Sequence, residues 1–102
     1  MRDKVVLVTG SSGGLGYKIA ELFASKHATV IINGRNEEKV GRAVEKIREQ
    51  GGQAVGMPAQ IHQYDQAASL FEEIEKKFGG IDVLVNNAGI SKPRPAEKIS
   101  IE

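Results

Sequence analysis

No cysteine occurs among the 102 residues, which excludes disulfides, thiolate nucleophiles and cysteine-held metals from this chain. That absence is compatible with a reducing compartment without establishing one. An excess of charge of one sign is lacking too. The 14 Lys and Arg stand against 13 Asp and Glu, a formal +1, which gives no argument for nucleic acid or an acidic membrane as partner. Arg2, Lys4, Lys76, Lys77, Lys92 and Arg94 are spread among acids and read as a solvated surface, with no basic stripe. No apolar run approaches membrane-spanning length, and no signal-peptide core follows the first charges. His27 and His62 are isolated from spaced carboxylates, so no metal site is expected. Repeats, linkers and low-complexity tracts are missing as well. The expectation is a soluble, cytoplasmic chain forming one domain over 1–102 with one modest core, 40% apolar and 26% charged.

Glycine, by contrast, is plentiful, and four glycines crowd into Thr9-Gly10-Ser11-Ser12-Gly13-Gly14-Leu15-Gly16. The run follows the apolar stretch Val5-Val6-Leu7-Val8 and opens a helical pattern. Strand, glycine turn and helix in that order form a cradle for nucleotide phosphates. Gly10 permits the tight turn, Gly14 removes a side chain that would hold the backbone away from a pyrophosphate, and Gly16 lets the helix approach the strand. The helix then offers unpaired N–H groups and its positive end to the phosphates. A glycine loop that merely turns the chain is the alternative, and the strand before it weighs against that. No Lys-Ser/Thr pair follows the loop, which argues against a nucleoside-triphosphate site.

The rest of the chain repeats this rhythm. Residues 4–9, 28–33, 53–58 and 81–86 read as strands. Residues 15–27 carry Leu15, Ile19, Leu22 and Phe23 at helical spacing, and residues 36–50 carry Val40, Ala43, Val44 and Ile47. Asp65 starts a third helix through about residue 78, packed by Leu70, Phe71, Ile74 and Phe78. Gly51-Gly52 and Gly79-Gly80 stop the second and third helices. The order βαβαβαβ implies an α/β fold: a parallel sheet of four strands in the order 3-2-1-4, with helices on both faces. Ser91-Lys-Pro-Arg-Pro reads as a loop, and Ser100 as the cap of a further helix.

A second motif, Asn86-Asn87-Ala88-Gly89, follows the fourth strand. Plain turn chemistry is one account of it. With the glycine run it closely resembles the short-chain dehydrogenase/reductase family over essentially the whole chain. The resemblance implies a Rossmann-like three-layer sandwich binding a nicotinamide dinucleotide. Gly10, Ser11, Ser12, Gly13, Gly14, Leu15 and Gly16 would contact that cofactor, with Asn87, Ala88 and Gly89 lining its cleft. Thr9 and Asn86 would brace the sheet. The residue chemistry agrees, because a small-residue turn at a carboxyl strand end lies where open α/β sheets bind ligands.

Cofactor choice turns on the end of the second strand, where Asn33-Gly34-Arg35-Asn36 carries no acid before Glu37. Arg35 suits a 2′-phosphate by forked, charge-assisted hydrogen bonds. The resemblance points the same way, to NADP(H) over NAD(H). An exposed arginine at a helix start is the alternative, and Asn36 is placed to cap that helix. After the third strand the family often has an acid for the adenine amino group. Gln60 stands there instead, with Ile61 as an apolar wall, so weaker adenine fixation is expected.

No catalytic residue is assigned. The family's serine, and its tyrosine and lysine in a Tyr-x-x-x-Lys pattern, normally lie on elements after residue 102. Neither Tyr17 nor Tyr64 has a lysine at that spacing, and both read as covering or edging the core. Family members are usually more than twice as long, so the chain is expected to be a truncated, cofactor-binding portion of an oxidoreductase, unable to reduce a carbonyl alone. A structural or self-association module that has lost its cofactor is the other reading. The fourth strand has Ile81, Val83 and Val85 on one side and Leu84 on the other. Its free edge is expected to pair with a second copy across a two-fold axis, or to be covered by the tail.

Overall fold

Val5–Val8 (β1) and Thr29–Ile32 (β2) form the centre of a four-stranded parallel sheet, completed by Gln53–Gly56 (β3) and Val83–Val85 (β4). Three helices connect them: Gly14–Ser25 (α1), Glu37–Glu49 (α2) and Tyr64–Phe78 (α3). The strand order is β3-β2-β1-β4, as the βαβ rhythm implies. This computed structural model describes residues 2–87; Ala88, Gly89, the proline-containing tail and Ser100 lie outside the described residues.

Strand alternation sends Val6, Val8, Val30 and Ile32 to one face of the sheet, into a cluster with buried residues of α1 and α2. Leu7 and Ile31 go to the other face and meet Leu70 and Ile74 of α3. The two central strands are therefore buried on both sides, which is why their sequences are continuous apolar runs. Full burial of Leu7, Ile31 and Ile74 stabilises by about 1.5–3 kcal/mol each.

The second helix forms as its sequence dictates. The Asn36 side chain accepts the Lys39 N–H at 3.1 Å, Glu37 and Glu38 occupy the positive first turn, and Lys46 and Arg48 the last. Val40, Ala43, Val44 and Ile47 are all buried. At the other helix ends, Gly79 closes α3 in the left-handed region at φ 78°, a conformation glycine adopts without penalty.

Three packing expectations are corrected. On α1 the face against the sheet is Gly16, Tyr17, Ala20 and Ala24, while Leu15 and Leu22 are 57% and 60% exposed. Ile19 and Phe23 only flank the cluster. Small residues at 20 and 24 let the helix lie close over β1 and β2, and the leucines project from its other side. On α3, Phe71 is 39% exposed beside buried Leu70, and Tyr64 is 84% exposed, so neither covers the core. Ile81 packs with Leu84 against the α3 side, whereas Val83 and Val85 join the α1–α2 side. Ile81 precedes β4, so strand alternation does not govern its direction.

Tyr17 does cover the core. Its ring lies under the Lys46 ammonium, 5.0 Å from the centroid, and its hydroxyl donates to Glu21 Oε2 at 3.5 Å. Burial first, and then the Glu21 carboxylate, push the phenol above its ordinary pKa. Its contribution to stability is complete below the ordinary phenol range and is lost as pH rises through the raised value.

Among the described residues no helix is long and apolar enough to cross a membrane, and no group of three or more acids and histidines gathers as metal ligands.

Candidate functional site

The carboxyl ends of all four strands point the same way, and the chain reverses its direction of travel across the sheet between β1 and β4. That switch point is where open α/β sheets form a crevice. Here the crevice is a cleft of about 460 Å³, whose lining includes Gly10, Ser12, Arg35, Ile61 and Asn87. Four loops thus deliver sequence-predicted residues to one place. Asn33, Gly34, Ala59 and His62 also line it and escaped sequence reasoning as site residues. The signal for them was positional, since each follows β2 or β3 at the same sheet edge.

The loop after β1 is held by hydrogen bonds that leave its outer surface free. The Gly10 N–H donates to Asn33 Oδ1 at 3.4 Å. The Ser11 hydroxyl, fully buried, donates to the Val8 carbonyl at 2.6 Å and accepts the Asn33 N–H at 2.9 Å, while the Ser11 N–H donates to the Asn33 carbonyl at 2.7 Å. Ser11 thus faces into the protein and ties the end of β1 to that of β2. Thr9 ties β1 to β4: its N–H donates to the Val85 carbonyl at 3.0 Å and its Oγ1 accepts the Asn87 N–H at 2.8 Å. The Thr9 hydroxyl proton is shared between the Val85 carbonyl and Asn86 Oδ1, at 3.4 and 3.3 Å.

Gly10 and Gly14 sit at φ 60° and 59°, where a side chain is strained. Gly16 is tight for another reason. A Cβ there would strike the Gly10 carbonyl oxygen and come within 2.7 Å of Asn87 Nδ2. Gly16 therefore allows close approach of α1 to the loop and to Asn87, more than to the strand itself.

The helix that this loop opens differs from the other two. Its N-cap, Gly13, supplies no side-chain acceptor, and its first turn holds no acid. The second helix has a side-chain cap and two first-turn acids, and α3 has Asp65. The first N–H groups of any α-helix lack intrahelical partners, and in α1 the first to close is that of Tyr17, on the Gly13 carbonyl at 3.3 Å. The end of α1 is thus a positive, uncapped terminus beside the cleft, joined to it through Ser12, the chemistry a phosphate requires. Among the described residues no aspartate or glutamate lines the cleft, and Arg35 is the one arginine or lysine that does.

Other predicted site residues lie elsewhere. Gly13, Gly14 and Leu15 line a neighbouring groove between α1 and α2. Asn36 is exposed and engaged in capping α2. Gln60 is half-buried beside the cleft without lining it, its N–H donating to Gln66 Oε1 at 2.7 Å.

The short chain dehydrogenase family model matches residues 4–102. The chain belongs to the short-chain dehydrogenase family. Among curated relatives, it is 40% identical over 98 residues to the uncharacterized oxidoreductase YxjF of Bacillus subtilis, covering 96% of this chain and 38% of that one. Among solved structures, a hydroxysteroid dehydrogenase from Escherichia coli superposes with a TM-score of 0.83 at 32% identity, covering 95% of this chain and 41% of that one. An actinorhodin polyketide ketoreductase crystallised with NADPH gives a TM-score of 0.80 at 32% identity, over 84% of this chain and 33% of the other. The chain spans about two fifths of the length of the curated relatives it matches. It carries the family's parallel four-stranded fold, and no Tyr-x-x-x-Lys pattern occurs within its 102 residues.

Proposed function

We propose that this chain is the NADP(H)-binding portion of a short-chain oxidoreductase. One observation carries the reading: the uncapped, acid-free end of α1 opens beside a cleft to which the described residues contribute Arg35 and no carboxylate. A carboxylate at the end of β2 would favour the free ribose hydroxyls of NAD(H); a guanidinium there favours a 2′-phosphate. The same preference is compatible with the NADPH-containing relative. In this reading Gly10, Ser12 and the N–H groups of Gly13, Gly14 and Leu15 receive the pyrophosphate, Arg35 the 2′-phosphate, and Ile61 the adenine face. Asn87, with Ala88 and Gly89, borders the nicotinamide side. A bound reduced nicotinamide supplies hydride to a carbonyl. Neither tyrosine lines the cleft, so the 102 residues are proposed to hold the cofactor without completing proton transfer.

Calorimetric titration of the chain with NADPH and NADH tests this. NADPH binds more tightly, and Arg35→Ala weakens NADPH by about 10–100-fold while changing NADH little, the effect of losing a charged hydrogen-bond pair. A folded chain that binds neither dinucleotide, or both equally, overturns the reading.

A second, compatible role rests on β4. Among the described residues it pairs only with β1, and Val83 and Leu84 are half-buried. We propose that two copies of the 102-residue chain pair through this edge into one continuous sheet. Sedimentation velocity at about 10 μM, well above the Kd of a stable dimer, should show that dimer, and a monomer removes the proposal.

A further inference from the structure

The large apolar side chains exposed among the described residues are Leu15 and Leu22 on α1 and Tyr64 and Phe71 on α3. They form two pairs on opposite sides of the molecule, because α1 and α2 cover one face of the sheet and α3 the other. Leu15 and Leu22 share a stripe of α1, at i and i+7, with Lys18 between them at i+3. Lys39, Arg42 and Lys46 repeat that spacing on α2. These four cations line the groove of about 580 Å³ between the two helices, and among the described residues no carboxylate lines it. None of them is in an ion pair, since the one salt bridge among the described residues joins Lys77 to Glu73 at 3.9 Å. Glu21, on α1, is engaged by the Tyr17 hydroxyl and by Gln50 Nε2, the latter at 2.9 Å. Arg42 and Lys46, at i, i+4, repel one another, a cost that an acidic partner would relieve.

The other outer layer has the opposite character. Tyr64, Ala68, Phe71, Glu72 and Glu75 follow i, i+4, i+7, i+8 and i+11, a single stripe of α3. Glu72 and Glu75 are exposed, and neither is in an ion pair among the described residues. One side of the molecule thus sets exposed leucines among cations, and the other sets exposed aromatic rings among carboxylates. The formal charge of +1 conceals this separation.

We infer that the basic groove between α1 and α2 is a docking site for α3 of a second copy of this chain. The helix lies in the groove as a third rod, with Tyr64 and Phe71 on the Leu15 and Leu22 side and Glu72 and Glu75 on the side of the α2 cations. Apolar burial supplies the affinity, and the charges decide which faces meet, because exposed ion pairs are individually weak. The two faces differ and lie on opposite sides, so each added copy leaves its own groove open. The contact is therefore heterologous, and assembly grows as a stack. It uses neither Arg35 nor the β4 edge and is independent of both readings above.

Sedimentation velocity of the full chain at about 200 μM tests this, because an interface below the standard size holds with a Kd of about 10–100 μM. The parent chain grows past a dimer. Lys39→Glu/Arg42→Glu and Glu72→Lys/Glu75→Lys, each alone, stop at or below a dimer, since like charges then face each other across the contact. Mixed in equal amounts they grow again, the reversed groove of one receiving the reversed α3 of the other. All four positions are exposed on helices, so circular dichroism should report an unchanged fold. Glu45→Lys/Glu49→Lys makes the same change of charge on α2, outside the groove, and grows as the parent does. The inference is overturned if the parent stays at or below a dimer, if either reversal alone grows as the parent does, if the mixture regains nothing, or if the Glu45/Glu49 variant loses growth as well. A parent at or below a dimer that pellets with phosphatidylglycerol vesicles, and no longer does so as Lys39→Glu/Arg42→Glu, overturns it in favour of an anionic lipid surface. One that instead binds poly-L-glutamate through the same two residues overturns it in favour of an acidic segment of another protein.

Discussion

Gly16→Ala unfolds at lower denaturant than the parent chain and Gly41→Ala at higher, although both exchange glycine for alanine inside a helix. By propensity alone, each substitution stabilises by roughly 0.8–1 kcal/mol. At Gly41, in α2, the new methyl meets nothing within 4 Å, so the propensity gain is expressed in full. At Gly16 it meets the Gly10 carbonyl group and the Asn87 side-chain amide, whose Nδ2 donates to that same Gly10 oxygen at 3.1 Å. The oxygen belongs to backbone held on both sides, by Asn33 at Gly10 and by Ser11, so it cannot swing away as a flexible side chain would. Overpacking of this kind costs about 1–3 kcal/mol, and the lost hydrogen bond adds about 1 kcal/mol, so the steric cost exceeds the helix gain. The net expectation is a loss of about 2 kcal/mol, read as a lower midpoint at unchanged m-value. Displacing the Gly10 carbonyl also shifts the loop at the mouth of the cleft. NADPH affinity should therefore fall at least about tenfold in Gly16→Ala and stay unchanged in Gly41→Ala. Equal midpoints for the two variants would show that α1 does not press on the loop.

This contrast also shows what the sequence makes legible. The sheet order follows from the alternation of apolar runs with helical periods and from the handedness of parallel crossovers, which require no contact information. The face of α1 does not. Leu15, Ile19, Leu22 and Phe23 have helical spacing and high apolarity, whereas the buried set is glycine, tyrosine and two alanines. Periodicity weighs residues by hydrophobicity, but close packing over a twisted sheet selects by size, and the two criteria diverge where the helix must approach its loop. The cleft was legible where a residue type names its chemistry, as at Gly10, Ser12 and Arg35. It was illegible at Ala59 and His62, which reach the cleft only because β3 ends beside β2. The groove between α1 and α2 gathers Lys18 from one helix and Lys39, Arg42 and Lys46 from the other, more than twenty residues away in sequence, so no linear stripe announces this cluster.

Asn33 is the position where substitution should damage fold and cleft together. The side chain is 1% exposed and joins three loops at once. Oδ1 accepts the Gly10 N–H at 3.4 Å, and Nδ2 donates to the carbonyls of Met57 and Ala59 at 3.1 and 3.4 Å. Asn33→Leu keeps the shape but leaves one N–H and two carbonyls without this partner. Each buried orphan costs about 1–3 kcal/mol, and the two long bonds place their share near the bottom of that range, so a loss of about 3–4 kcal/mol is expected. Against a total stability of about 5–15 kcal/mol for a domain of this size, that is a large fraction. Asn33→Asp separates hydrogen bonding from packing. At neutral pH its carboxylate keeps the acceptor for Gly10 but faces two carbonyl oxygens, so burial and those oxygens raise its pKa above that of an unfolded aspartate. A raised folded pKa makes the chain most stable below the unfolded aspartate value, and stability is lost as pH rises through the folded one. The deficit of Asn33→Asp relative to the parent chain should therefore shrink as the pH is lowered from 7 toward about 4, where a protonated carboxyl can donate again. The deficit of Asn33→Leu should not change over the same interval, because leucine has no proton to gain. Urea unfolding of the parent and both variants at several pH values measures this. Parallel curves for the two variants would mean that the three loops are held by packing, with the amide incidental.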